Sequence, residues 1–157
     1  MVNWPKLIIA ILFCESAGFI GSLFTQSSVG TWYQTLKKGP LNPPDWVFAP
    51  VWTALFCLMG VSAYIVWEKG LDNRPVRAAL MIFCLQLVLN SLWSVLFFGL
   101  KSPQYAFYEI FLLWAAIVAT IWKFWPISPW AGALLLPYIL WVSFAVYLNF
   151  SIYHLNR

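Results

Sequence analysis

Five stretches of this chain are each long and apolar enough to cross a bilayer: Pro5–Gln26, Pro44–Trp67, Pro75–Gly99, Pro103–Trp125 and Pro129–Tyr153. A helix crossing about 30 Å of hydrocarbon needs about 20 residues. Backbone in lipid must satisfy its own hydrogen bonds, which leaves only helices or a closed barrel. The short, even alternation of barrel strands is absent. The expectation is an all-α, multi-pass membrane bundle of five helices, one domain over residues 1–157. Composition agrees: 9% of residues are charged, against about 25% in soluble proteins.

Helix punctuation falls where these spans need it. Ser102-Pro103 and Ser128-Pro129 each offer an N-cap followed by proline in the first turn, where its missing N–H is harmless. Asn73-Arg74-Pro75 does nearly the same, and Gly70 and Gly99 suit helix C-termini. Pro137 is expected to bend the fifth helix. Short connections predict antiparallel neighbours. The first run carries Glu15 at its middle and no clear cleavage site, so it reads as a retained helix rather than a signal peptide.

Nine basic residues cluster at the ends of the runs, five on one side (Lys6, Lys69, Arg74, Arg77, Lys123) and four on the other (Lys37, Lys38, Lys101, Arg157). This is interfacial anchoring and no nucleic-acid patch, and five against four does not set the orientation. Cys14, Cys57 and Cys84 lie inside apolar runs without metal-ligand spacing and read as packing residues. No hydrolytic constellation, metal motif or phosphate-binding glycine loop is present.

Inward faces are marked by polar and small residues. Gln86, Asn90, Trp93, Ser94 and Phe97 share one face of the third span. Gln86 reads as interhelical glue, and Asn90, beside tryptophan, as a pocket wall. Tyr138, Trp141, Ala145, Leu148, Asn149 and Ile152 form a second stripe, in which small Ala145 leaves room for a helix or a ligand. The second span adds Trp52, Phe56, Met59, Gly60 and Ala63. The first adds Cys14, Gly18, Gly21, Ser22 and Thr25, which permit close helix approach. Two acids, Glu15 and Glu109, lie within spans. Glu109, about two turns into its helix, is expected near an interface.

The first connection, Ser27–Pro43, is too long for a mere link in so compact a chain. It leads into PLNPPDWVFAPVW, residues Pro40 to Trp52. Pro43-Pro44 is expected to hold the chain extended and start the second helix, with Asp45 in its positive first turn. Trp46 is expected at the interface and Trp52 inward.

WYQTLKKGPLNPPDWVFAPVW, LQLVLNSLWSVLFFG and PYILWVSFAVYLNFSI occur in this order. Together they resemble the first loop, third helix and fifth helix of the translocator protein family, also called tryptophan-rich sensory proteins or peripheral-type benzodiazepine receptors (TspO/MBR). The resemblance covers nearly the whole chain. It implies a five-helix bundle, often dimeric, that binds tetrapyrroles such as protoporphyrin and haem, sterols, and synthetic benzodiazepine-site ligands. It implies further that no cofactor is required and that porphyrin or haem is the ligand. By position, it implies a pocket lined by Trp32, Phe48, Ala49, Trp52, Phe56, Asn90, Trp93, Tyr105, Leu112, Trp141, Ala145 and Leu148. The long first loop would act as a lid, with Lys37 and Lys38 attracting propionates. Leu41 stands where many members carry tryptophan. The sterol motif is displaced to Leu148, Tyr153 and Arg157, and such motifs are weak.

Three functions compete at this point. The first is a tetrapyrrole receptor, sensor or carrier. The second is light- and oxygen-dependent porphyrin degradation, with Trp32 and Trp141 as electron donors. The third is a structural membrane protein whose stripes are only core.

Overall fold

The computed structural model describes residues 1–157, and its only regular elements are helices, without strands. Helix α1, Trp4–Val29, starts where Asn3 Oδ1 accepts the Lys6 backbone N–H at 3.2 Å. A four-residue helix, α2 (Trp32–Thr35), interrupts the first connection. Pro44 is extended (φ −57°, ψ 144°) and hands the chain to a 3-10 turn, Asp45–Val47. Helix α3, Phe48–Trp67, then follows. Pro50 falls in its first turn, where no intrahelical N–H bond is lost.

Helix α4, Arg74–Ser94, runs on into a π-helical turn, Val95–Gly99. That turn closes through the Leu100 N–H to Val95 O at 2.8 Å. The left-handed residue that leaves it is Lys101 (φ 51°), not Gly99. Gly99 instead makes room for the Phe24 ring, which a Cβ would meet at 2.9 Å. Gly70, at φ 91°, does take the left-handed conformation after α3. Helix α5 is Pro103–Phe124, capped by Ser102 Oγ on the Tyr105 N–H. The fifth span is broken rather than bent: α6 (Pro129–Ala133) and α7 (Leu136–Leu155) meet at Leu134–Leu135. Pro137 has no N–H to offer the carbonyl four residues back, so the helix restarts there with proline in its first turn.

Neighbours in sequence pack as neighbours, but α1 also wedges against α4. Small residues allow it. Gly60 on α3 meets α1 so closely that a Cβ would lie 2.5 Å from the Ile11 Cα. Gly18 receives the Phe56 ring in the same way. Gly60→Val should therefore force α1 and α3 apart. Overpacking costs about 1–3 kcal/mol when side chains absorb it, and here backbone must move. The expected result is a loss of at least about 2 kcal/mol in a detergent unfolding series; a neutral outcome would mean that the two helices do not pack at Gly60.

The main core, between α3, α4, α5 and α7, holds Met59, Val66, Phe83 and Tyr138, with Phe83 and Phe124 stacked at 5.7 Å. A smaller cluster under the first loop joins Tyr33, Phe97, Phe98, Ala106 and Ile152. All five long helices satisfy the length and hydropathy of membrane spans. The chain is an integral, multi-pass membrane protein.

Candidate functional site

The half of the bundle nearest the first loop encloses a cavity of about 620 Å3. Two sequence facts create it. The close α1–α3 contact ends at Gly18 and Phe56. Beyond it the facing residues are Ser22, Thr25 and Gln26 on α1 and Ala49 and Thr53 on α3, and all five line the cavity. On α7, Ala145 lies between Trp141 and Leu148 on the same wall, so a small side chain leaves the space that a larger one would fill.

The walls are aromatic. Phe48 meets Trp141 edge-on at 6.1 Å, and Trp52 packs on Phe56 at 5.6 Å and edge-on to Tyr138 at 6.2 Å. Trp93 stacks on Phe97 at 5.0 Å. Side-chain hydrogen bonds hold two of these rings, Trp93 and Tyr138, in place. The Trp93 indole N–H donates to Asn149 Oδ1 at 3.0 Å, and Asn149 Nδ2 donates to the Pro103 carbonyl at 2.8 Å. Both ends of that buried amide are occupied, so Asn149 of α7 ties Trp93 of α4 to the start of α5.

Behind the wall lies a buried polar relay. Asn90 Nδ2 donates to the Tyr138 hydroxyl at 2.8 Å, and that hydroxyl donates to Gln86 Oε1 at 2.7 Å. Gln86 Nε2 reaches Met59 Sδ at 3.7 Å. Gln86 is thus the interhelical link that its position suggests, while Asn90 both joins the relay and lines the cavity.

Of the positions picked from sequence, Phe48, Ala49, Trp52, Phe56, Asn90, Trp93, Trp141, Ala145 and Leu148 line the cavity. Three do not. Tyr105 and Leu112 are exposed on the outer face of α5, which turns Ala106, Glu109, Ile110 and Leu113 inward. Ile110 and Leu113 take their place on the wall. Trp32 lies edge-on to Phe97 at 5.7 Å, off the cavity, and its neighbour Tyr33 lines the cavity instead. In a helix of four residues, one step of about 100° decides which of the two points inward. Asn149, Val142 and Glu15 also line the cavity. Asn149 was legible as a member of the α7 stripe. Glu109 is buried, and neither carboxyl oxygen has a hydrogen-bond partner.

The first loop reaches the cavity through Tyr33. Tyr33 donates its hydroxyl to Asn42 Oδ1 at 3.1 Å, and the Lys38 ammonium rests 4.3 Å above its ring. Burial pushes the Tyr33 phenol above its ordinary pKa, so it remains a donor at neutral pH. Gln34 Nε2 donates to Asp45 Oδ2 at 2.6 Å, tying α2 to the start of α3. Asn156 clasps the loop from the other side: its Oδ1 accepts the Lys37 N–H at 3.0 Å and its Nδ2 donates to the Lys37 carbonyl at 2.9 Å. Trp46, outside this arrangement, is exposed, as an interfacial tryptophan should be.

Residues 10–155 match the family model described as the TspO/MBR family. The chain belongs to this family. It is 46% identical to the tryptophan-rich protein TspO of Archaeoglobus fulgidus, an alignment covering 99% of both chains. It is 45% identical to the protein of the same name from Chlorobaculum tepidum, covering 96% of this chain and 95% of that one. It is 35% identical to the translocator protein of Homo sapiens, over 88% and 83% respectively. The similarity spans all five membrane helices of this TspO/MBR member, so the cavity-forming segments fall within the matched region.

Proposed function

We propose that this chain is a membrane receptor or carrier that binds tetrapyrroles such as protoporphyrin IX and haem in the cavity between its helices. Synthetic ligands of the benzodiazepine-site class would take the same place. The observation that carries this reading is the aromatic cavity itself: walls of Phe48, Trp52, Trp93 and Trp141 around about 620 Å3, with the Asn90 amide among them. A flat apolar macrocycle stacks on such walls, and a few fixed polar groups orient it. Titration of the purified chain with protoporphyrin IX in the dark tests the reading. Saturable binding is expected; none would leave the stripes as core alone.

A second reading is favoured by one feature, that three indoles line the same cavity. Light would excite a bound porphyrin, a wall indole would donate an electron, and oxygen would be consumed in breaking the macrocycle. Trp141→Phe keeps much of the stacking surface and removes the easily oxidised ring. Affinity is expected to fall by less than about tenfold, about 1.4 kcal/mol, while photodegradation at equal occupancy slows markedly. Trp32→Phe, off the cavity wall, should change neither. Equal rates in wild type and Trp141→Phe would leave only a binding protein.

In this proposal the first loop acts as a lid. The Asn42, Asp45 and Asn156 links hold it down, and a bound macrocycle beneath Tyr33 would add to them. Amide hydrogen exchange across residues 30–41 should slow when protoporphyrin IX is added. Unchanged exchange at saturating ligand would mean that the loop is no lid.

A further inference from the structure

A second concavity, of about 760 Å3, lies at the opposite end of the bundle. It is formed where the α3–α4 turn faces the end of α5, and it has a different chemistry. Lys69, Arg74 and Lys123 line it, above a floor of Ala78, Pro126 and Ile127. None of the three cations is ion-paired, since the one ion pair of the chain joins Lys6 to Glu68. Asn73 and Pro75 complete the lining. Uncompensated like charges around one hollow repel each other, an arrangement that an anion relieves.

Two further observations say which anion. The hollow lies at headgroup depth, because Trp122, Trp125 and Trp130 stand exposed around the same end of the bundle. Its floor residue Ala78 also begins an exposed apolar stripe on the outer face of α4: Met81, Leu85 and Val88 follow at helical spacing. Charged hollow and apolar track are therefore continuous, anion above and hydrocarbon below. We infer that Lys69, Arg74 and Lys123 form a binding site for the phosphate headgroup of an anionic phospholipid of the surrounding bilayer, whose acyl chain lies along Ala78, Met81 and Leu85. Guanidinium and ammonium groups suit phosphate oxygens, and basic hollows between membrane helices are suited to such headgroups. This site is separate from the aromatic cavity and does not depend on what that cavity binds.

Native mass spectrometry of the full chain in detergent tests it, with dioleoylphosphatidylglycerol and dioleoylphosphatidylcholine as probes. Wild type is expected to retain the anionic lipid in preference to the zwitterionic one by at least about tenfold. The Lys69→Gln/Arg74→Gln/Lys123→Gln variant should lose that preference. Lys37→Gln/Lys38→Gln/Lys101→Gln, which removes equal charge at the other end, should keep it. Ala78→Glu gives an independent reading if the triple variant does not fold, because it puts a carboxylate among the cations at an exposed position; it should also abolish the preference. A preference unchanged in the hollow variants overturns the site, as does one lost equally in the loop variant. Displacement of the lipid by millimolar inorganic phosphate would make this a free-phosphate site and overturn the lipid assignment.

Discussion

Ala145→Phe is expected to weaken protoporphyrin IX binding by well over tenfold, more than about 1.4 kcal/mol, while the bundle stays folded. Ala145 faces the cavity from α7 between Trp141 and Leu148, and it is only half-buried because it opens onto the cavity. A benzyl group at this position enters that space instead of a neighbouring helix. The cost of overpacking therefore falls on the ligand and not on the fold. Circular dichroism and detergent unfolding should match wild type, and dark titration should show the loss. Normal affinity in a well-folded sample would put the ligand elsewhere.

A large stability effect is expected at Tyr138, which is fully buried and shares its hydroxyl between two amides. Tyr138→Phe keeps the ring that packs against Trp52 and removes only the oxygen. Asn90 Nδ2 then lacks an acceptor and Gln86 Oε1 lacks a donor. A single interhelical hydrogen bond in membrane proteins averages about 0.6 kcal/mol, but stranding a buried polar group costs about 1–3 kcal/mol. With two groups stranded, the expected loss is about 2–4 kcal/mol, measured by unfolding in mixed micelles. Combining Tyr138→Phe with Gln86→Leu should recover part of it, since one stranded group is then gone. A loss under about 0.5 kcal/mol would show that the amides find other partners.

Several features of this molecule follow from sequence for reasons special to membranes. Span number and approximate limits are set by bilayer thickness and by the penalty on unsatisfied backbone, and both leave long apolar runs between prolines and charges. The start of α5 follows from Ser102, whose side chain caps the first turn, whereas Ser128 and Asn73, also expected as caps, stand at their helix starts without a side-chain capping bond and leave the punctuation to Pro129 and Pro75. The inward faces of α4 and α7 were legible because they carry amides, and an amide is not left in lipid when a protein partner exists.

Tertiary structure decided what those signals leave open. On α5, Tyr105 and Leu112 face outward while Ile110 and Leu113 face the cavity, yet all four are apolar or aromatic. In water, hydrophobicity would separate the two faces. In a bilayer the surroundings are as apolar as the core, so only packing against neighbours makes the choice. The same holds for Tyr33 over Trp32, where Asn42 and Phe98 hold the inward ring. The turn after α4 passes its left-handed residue to Lys101 because the π-helical turn shifts the chain and Gly99 is needed against Phe24. The sequence by itself therefore determined how many helices cross the membrane, roughly where they begin, and which polar side chains must turn inward. Which apolar side chains meet in the cavity depended on helix rotation and close α1–α3 contact, since neither lipid nor core distinguishes one hydrocarbon face from another.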